Sequence, residues 1–185
     1  LESAKMNAED VELIIVSTCT PDFFYPAMSC LIQKHIGAKN AACFDVNSAC
    51  TGFISSLDIA QKYLETDKYK NVLIVSSEKL SNQTDYTDRA SCILFGDAAG
   101  AVLLKKSGKR FNSFLGAEGD EFEALYCKVN YQGNCPWFGD IDEFYEHRFD
   151  TFSKQNFLVQ DGKAVYKFAV NAMADAVRNV AEQGG

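Results

Sequence analysis

Apolar and polar positions alternate in blocks along the chain. VELIIVS, residues 11–17, is a near-continuous apolar run of the kind that forms a strand buried on both faces. Pro26 then predicts the opening of a helix that carries Leu31 and Ile32 and stops at Gly37. Ala42 to Val46 predicts a second strand. From Cys50 to Leu64 the apolar residues fall at 53, 54, 57, 60, 63 and 64, which is helical spacing. NVLIVS, residues 71–76, predicts a third buried strand. Strand, helix, strand, helix, strand implies an α/β fold with a mostly parallel sheet. After a polar loop from Ser81 to Arg89 come two apolar runs, Ser91 to Phe95 and Ala101 to Leu104. Gly96-Asp97-Ala98-Ala99-Gly100 lies between them, so the pattern predicts a hairpin with glycines at its turn. Residues 112–117 offer one more short strand.

From Gly119 to about Gln160 the periodicity is lost. The stretch is acidic and aromatic and holds the only tryptophan, Trp137. A connection of that length points to a functional loop or a small excursion with its own elements. Helical spacing resumes from Asp161 to Ala181 through Val165, Phe168, Ala169, Ala172, Ala176, Val177 and Val180.

Composition narrows the function classes. With 185 residues the chain suits one sizeable domain. No apolar run approaches the roughly 20 residues that span a bilayer, and no secretion signal opens the chain. A net charge of −7 disfavours nucleic acid and anionic membrane surfaces as partners. The seven cysteines are odd in number and scattered, with no C-x-x-C pair. They suit free thiols in a reducing cytoplasm. Only His35 and His147 accompany them, neither at zinc-ligand spacing, so no metal is expected.

The candidate chemistry centres on Cys50. It follows the 42–46 strand by a few residues and stands where the next helix is predicted to begin. That edge of an open α/β sheet is where ligand sites gather. Helix N–H groups and the helix dipole there stabilise a thiolate. Ser48, Ala49, Thr51 and Gly52 are small enough to admit a substrate, and backbone N–H groups of the turn suit an oxyanion. A small buried hydrophobe is the alternative reading of the same cysteine.

FDVNSACTGF (44–53), NVLIVSSEKLS (71–81), YTDRASCILFGDAAGAVLL (86–104) and DGKAVYKFAVNAMADAV (161–177) follow one another in order. Together they resemble the beta-ketoacyl-acyl-carrier-protein synthase III family, condensing enzymes of the thiolase fold that start bacterial fatty-acid synthesis. The resemblance implies a mixed, mostly parallel sheet with helices on both faces. Residues 1–118 would be the first half of a thiolase-like domain, 119–160 a long connection, and 161–185 the first helix of the second half.

It also implies roles. Cys50 would accept the acyl group of an acyl-CoA as a thioester, and an enolate from malonyl-acyl carrier protein would then attack it. Arg89 resembles the arginine that packs on the CoA adenine, and Phe95 a tunnel-lining aromatic. Tyr25 resembles an aromatic that reaches into a dimer partner's acyl pocket. Gly96, Asp97 and Gly100 resemble the active-site turn, and Lys167 falls where carrier protein would dock. Acyl-CoA is a substrate in this scheme, so no cofactor is expected, and the partners are acyl-CoA, malonyl-acyl carrier protein and a second copy of the chain. The family's catalytic histidine and asparagine are expected downstream of the last helix, and an adenine-facing aromatic upstream of Leu1. His35 and His147 do not replace that histidine. The rival readings are another thiolase-fold CoA-condensing enzyme of secondary metabolism and a non-catalytic thiolase-fold subunit. The intact cysteine argues against the second.

Overall fold

A computed structural model describes residues 1–120, 122–128 and 157–184. Trp137, Cys135, His147 and most of the 119–160 connection lie outside the described residues. The described residues divide into two compact units. The first comprises residues 1–82, 96–117 and 171–185, and the second residues 83–95 and 118–170.

The first unit is built on a four-stranded sheet. Its strands are β1 (Leu13–Ser17), β2 (Ala42–Val46), β3 (Asn71–Lys79) and β4 (Asp97–Lys105), in the spatial order β2-β1-β3-β4. β1 pairs parallel with both β2 and β3, while β4 runs antiparallel to β3. The central strand is the most hydrophobic segment of the chain, and all five of its residues are buried. Burying each of Leu13, Ile14, Ile15 and Val16 contributes about 1.5–3 kcal/mol. Alternate side chains of the sheet face opposite layers. Ile14, Val16 and Leu73 pack with Met28, Ile32 and Ile36 of α1 (Met28–Ile36). Leu13, Ile15, Val72 and Ile74 pack with Phe53, Leu57, Ala60 and Leu64 of α2 (Gly52–Glu65). The expected plan of helices on both faces of a mixed, mostly parallel sheet is therefore present.

Four local expectations are corrected. The hairpin between Ser91–Phe95 and Ala101–Leu104 does not form. Residues 91–94 are a succession of turns instead, closed by Cys92 N–H to the Asp88 carbonyl (3.0 Å) and Leu94 N–H to the Ser91 carbonyl (3.0 Å). Consequently Gly96-Asp97-Ala98-Ala99-Gly100 is not a turn. β3 is nine residues long and has β1 on one side only, so its other edge needs a partner over its whole length. Residues 97–105 supply it in unbroken register, from Asn71↔Lys105 through Ser76↔Gly100 to Lys79↔Asp97. Pro26 lies before the first helix, which starts at Met28 because Asp45 satisfies its leading N–H groups. Residues 112–117 form no strand. Their neighbourhood is tied to α2 by side chains, with Gln61 bonded to both backbone groups of Phe111 and Ser113 Oγ donating to Asp58 (2.5 Å).

In the second unit, Leu125–Cys127 (β5) and Leu158–Gln160 (β6) pair antiparallel, and Leu158 N–H reaches the Gln83 carbonyl (2.7 Å). The last helix, α3 (Gly162–Gly184), begins where the sequence pattern places it and continues three residues beyond Ala181. Asp161 caps it through the N–H groups of Lys163 and Ala164 (3.0 and 3.1 Å). Among the described residues, no helix is long and apolar enough to cross a membrane.

Candidate active site

β1, β2 and β3 run parallel, so their carboxyl ends share one rim of the sheet. β2 delivers Asn47, Ser48, Ala49 and Cys50 to that rim. Cys50 lies in a single 3-10 turn, Ala49–Thr51, and α2 starts only at Gly52. The thiol is thus placed two residues before the α-helix rather than as its first residue. The turn closes through Thr51 N–H and Thr51 Oγ to the Ser48 carbonyl (3.1 and 2.9 Å) and Gly52 N–H to the Ala49 carbonyl. Cys50 is exposed, as are Asn47, Ala49 and Thr51 beside it. The small residues of NSACTG leave the sulfur uncovered.

Two features force this shape. Ala49 has φ of 43°, the left-handed region that costs a residue with a Cβ about 1–2 kcal/mol. It turns the chain sharply between strand and helix, and backbone strain of this kind concentrates at functional sites. Gly52 is buried against β1, and a Cβ there would come within 1.9 Å of Ser17 Oγ. Only glycine lets the start of α2 lie that close to the end of β1.

Two carboxylates hold the rim. Glu78, near the end of β3, accepts Cys19 N–H (3.0 Å), Cys19 Sγ–H (3.3 Å) and Thr20 Oγ–H (2.6 Å). It thereby fixes the loop that follows β1. Burial, then the Glu78 hydrogen bond and charge, and last the proximity of Cys50 push the Cys19 thiol up to about 11. Of the two interacting thiols, Cys19 is kept protonated and half-covered while Cys50 faces solvent. Asp45, in β2, accepts the N–H groups of Met28 (2.6 Å) and Ser29 (2.9 Å), fixing the start of α1 and the Tyr25-bearing segment before it. Neither carboxylate stands out in the sequence. Their signal is an acidic residue near the carboxyl end of an otherwise apolar strand, where a half-buried charge needs donors.

The other site residues are placed as follows. Tyr25 is 86% exposed and adjoins the exposed Phe23 and Phe24. Asp97 accepts both Ser81 N–H (2.9 Å) and Ser81 Oγ–H (2.7 Å), which hold its carboxyl below the usual range. Gly96 precedes β4 and Gly100 lies within it, with open space where a Cβ would go at either. Arg89, Phe95 and Lys167 belong to the second unit. Arg89 is exposed on a turn that Asp88 fixes by accepting Ala90 N–H (2.9 Å) and Ser91 Oγ–H (2.5 Å). Those same bonds hold Asp88 below the usual carboxylate range. Phe95 is half-buried and Lys167 exposed on α3.

Residues 44–119, from the middle of β2 past β4, match a family model described as 3-oxoacyl-[acyl-carrier-protein] synthase III. The whole chain is 38% identical to beta-ketoacyl-[acyl-carrier-protein] synthase III of Clostridium acetobutylicum and covers 54% of it. Among solved structures, 98% of the chain superposes on 52% of 3-oxoacyl-[acyl-carrier-protein] synthase III from Aquifex aeolicus, with 34% identity and a TM-score of 0.80. A priming beta-ketosynthase of a polyketide biosynthetic pathway is similar over 97% of this chain and 50% of its own, with 31% identity and a TM-score of 0.79. The chain spans about half the length of the curated relatives it matches.

Proposed function

Because the chain belongs to the beta-ketoacyl-acyl-carrier-protein synthase III family, we propose that it carries the acyl-accepting part of a decarboxylative condensing enzyme, with Cys50 as nucleophile. The observation that carries this reading is the exposed Cys50 in the strained turn between β2 and α2, at the carboxyl rim of the sheet. Cys50 sulfur attacks the thioester carbonyl of an acyl-CoA. The new C–S bond forms, the bond to CoA breaks, and CoA leaves with the proton that Cys50 gave up. The Cys50 N–H, in the turn, is one donor to the oxyanion of that step. Malonyl-acyl carrier protein then loses carbon dioxide, and the resulting carbanion attacks the acyl-cysteine. A carbon–carbon bond forms, Cys50 departs as thiolate, and a 3-oxoacyl-acyl carrier protein is released. No cofactor is consumed, since acyl-CoA is itself a substrate.

Arg89 is assigned to the CoA adenine and phosphates, for which an exposed planar guanidinium is suited. Phe95 is assigned to the acyl tunnel and Lys167 to the carrier protein. Asp97 keeps its place beside the motif glycines, but as the residue that ties Ser81 to β4. The exposed run Phe23-Phe24-Tyr25 supports a homodimer in which Tyr25 enters the partner's acyl pocket, and the proposed setting is the cytoplasm. The likeness to a priming beta-ketosynthase favours one second reading, the same chemistry serving a polyketide pathway. A primer panel distinguishes them by which acyl-CoA and which carrier protein are used.

The test is incubation of the full-length protein with a short acyl-CoA, followed by mass spectrometry of its peptides. One acyl group on Cys50 is expected, and none after Cys50→Ala. Acylation of another cysteine, or none at all, overturns the assignment.

A further inference from the structure

A second pair of thiols meets away from the Cys50 rim. Helix α1 lies against β2 and is pinned to it at two places. At one end Gln33 Nε2 donates to the Ala41 carbonyl (2.9 Å). At the other, Met28 and Ser29 donate to the Asp45 carboxylate (2.6 and 2.9 Å). Between these pins the helix supplies Cys30 and the strand supplies Cys43.

The side chains converge for simple reasons. Positions 43 and 45 share one face of β2, the face that Asp45 presents to α1. Cys43 packs in the same layer as Met28, Ile32 and Ile36. Cys30 precedes Gln33 by three residues, so both lie on one flank of the helix, about one turn apart. Gln33 reaches Ala41, and one turn back Cys30 is carried two residues along the strand to Cys43. The Cys43 thiol donates to the same Ala41 carbonyl that Gln33 uses (3.7 Å). Burial, followed by the charge and hydrogen bond of Cys30, pushes the Cys43 thiol up to about 11. Cys30 is exposed and Cys43 half-buried, so one thiol meets solvent and the other waits behind it.

We propose that Cys30 and Cys43 are a redox-responsive pair that closes a reversible disulfide between α1 and β2 when a low-molecular-weight disulfide oxidises the protein. The exposed Cys30, as thiolate, attacks one sulfur of oxidised glutathione. One glutathione leaves as thiolate and takes up a proton, and Cys30 is left as a mixed disulfide. Cys43 then gives up its proton and attacks the Cys30 sulfur, expelling the second glutathione. Two protein thiols are oxidised to one S–S bond, and one glutathione disulfide is reduced to two thiols. Excess reduced glutathione reverses both steps. The modification differs from the acylation of Cys50 in residues, reagent and mass.

The experiment treats full-length protein with oxidised glutathione, blocks remaining thiols, and digests without reductant for mass spectrometry. A peptide pair joined through Cys30 and Cys43 is expected in at least half of the protein. Cys43→Ser should leave Cys30 carrying glutathione, Cys30→Ser should leave Cys43 unmodified, and Cys50→Ala should retain the bridge. Closure of the mixed disulfide should quicken as pH rises, because Cys43 attacks as its thiolate and must ionise first. A wild-type protein in which Cys30 stays glutathionylated, stays unreacted, or bridges to Cys50 overturns the pair. Retention of the bridge in Cys50→Ala keeps this outcome independent of the proposed catalytic role.

Discussion

Two motif-bearing segments of comparable length, residues 44–53 and 86–100, behave differently. In the first, strand, sharp turn, cysteine and helix follow one another nearly where the residue pattern puts them. In the second, the glycine-flanked stretch that reads as a hairpin turn is the first half of a nine-residue strand. The two glycines at the heart of these segments explain the contrast. Gly52 is required by contact, since any side chain would strike Ser17. Gly100 is surrounded by open space and lies extended opposite Ser76. A glycine marks a turn only where the backbone needs a positive φ, and here the residue with that need is Ala49.

Substitution at the two glycines should separate them most sharply. Gly52→Ala should cost about 1–3 kcal/mol by overpacking. Ser17→Ala in the same chain should recover part of that loss, since the Oγ at 1.9 Å is removed while the Cβ at 3.1 Å remains. Gly100→Ala should stay within about 0.5 kcal/mol of the parent. Urea unfolding of the four proteins checks all of this, and an equal cost at both glycines would dissolve the contrast.

A smaller effect is expected at the carboxylate that steadies the first segment. Asp45→Asn keeps an acceptor but loses the charge on two helix N–H groups, for about 1 kcal/mol in the same unfolding assay. The smallest belongs to Asp97 in the second segment. Ser81 lowers its folded value relative to the ordinary 3.8, so its contribution is fully present above that ordinary value. It is lost as pH falls through the depressed one. Asp97→Asn should therefore flatten the acid limb of stability below pH of about 4 and leave neutral pH little changed.

The difference in legibility has a physical source. Leu13 to Ser17 and Asn71 to Ile74 are buried on both faces, so burial writes them into composition. Cys50 stands out as a candidate because small residues, a preceding strand and a following helical period all lie between positions 42 and 64. Asp45 and Glu78 are not legible in the sequence because their donors lie 16 to 59 residues away in the chain. The residue pattern misplaces β4 because its extent is set by the length of β3 rather than by its own alanines and glycine. The Ser91–Phe95 run is apolar, yet Ile93 is 83% and Leu94 56% exposed, so hydrophobicity there does not signal a strand.

The antiparallel return of β4 has a consequence for how this protein can change. β3 ends and β4 begins side by side at Lys79 and Asp97, and Asp97 clasps Ser81 across the gap. The residues between leave the sheet and come back to the same spot, like a cassette whose two contacts are already soldered. Insertions or exchanges between Gln83 and Phe95 would leave every rung of the β3–β4 ladder untouched. A lineage can therefore revise the stretch bearing Arg89 and Phe95 while the scaffold that presents Cys50 is inherited intact.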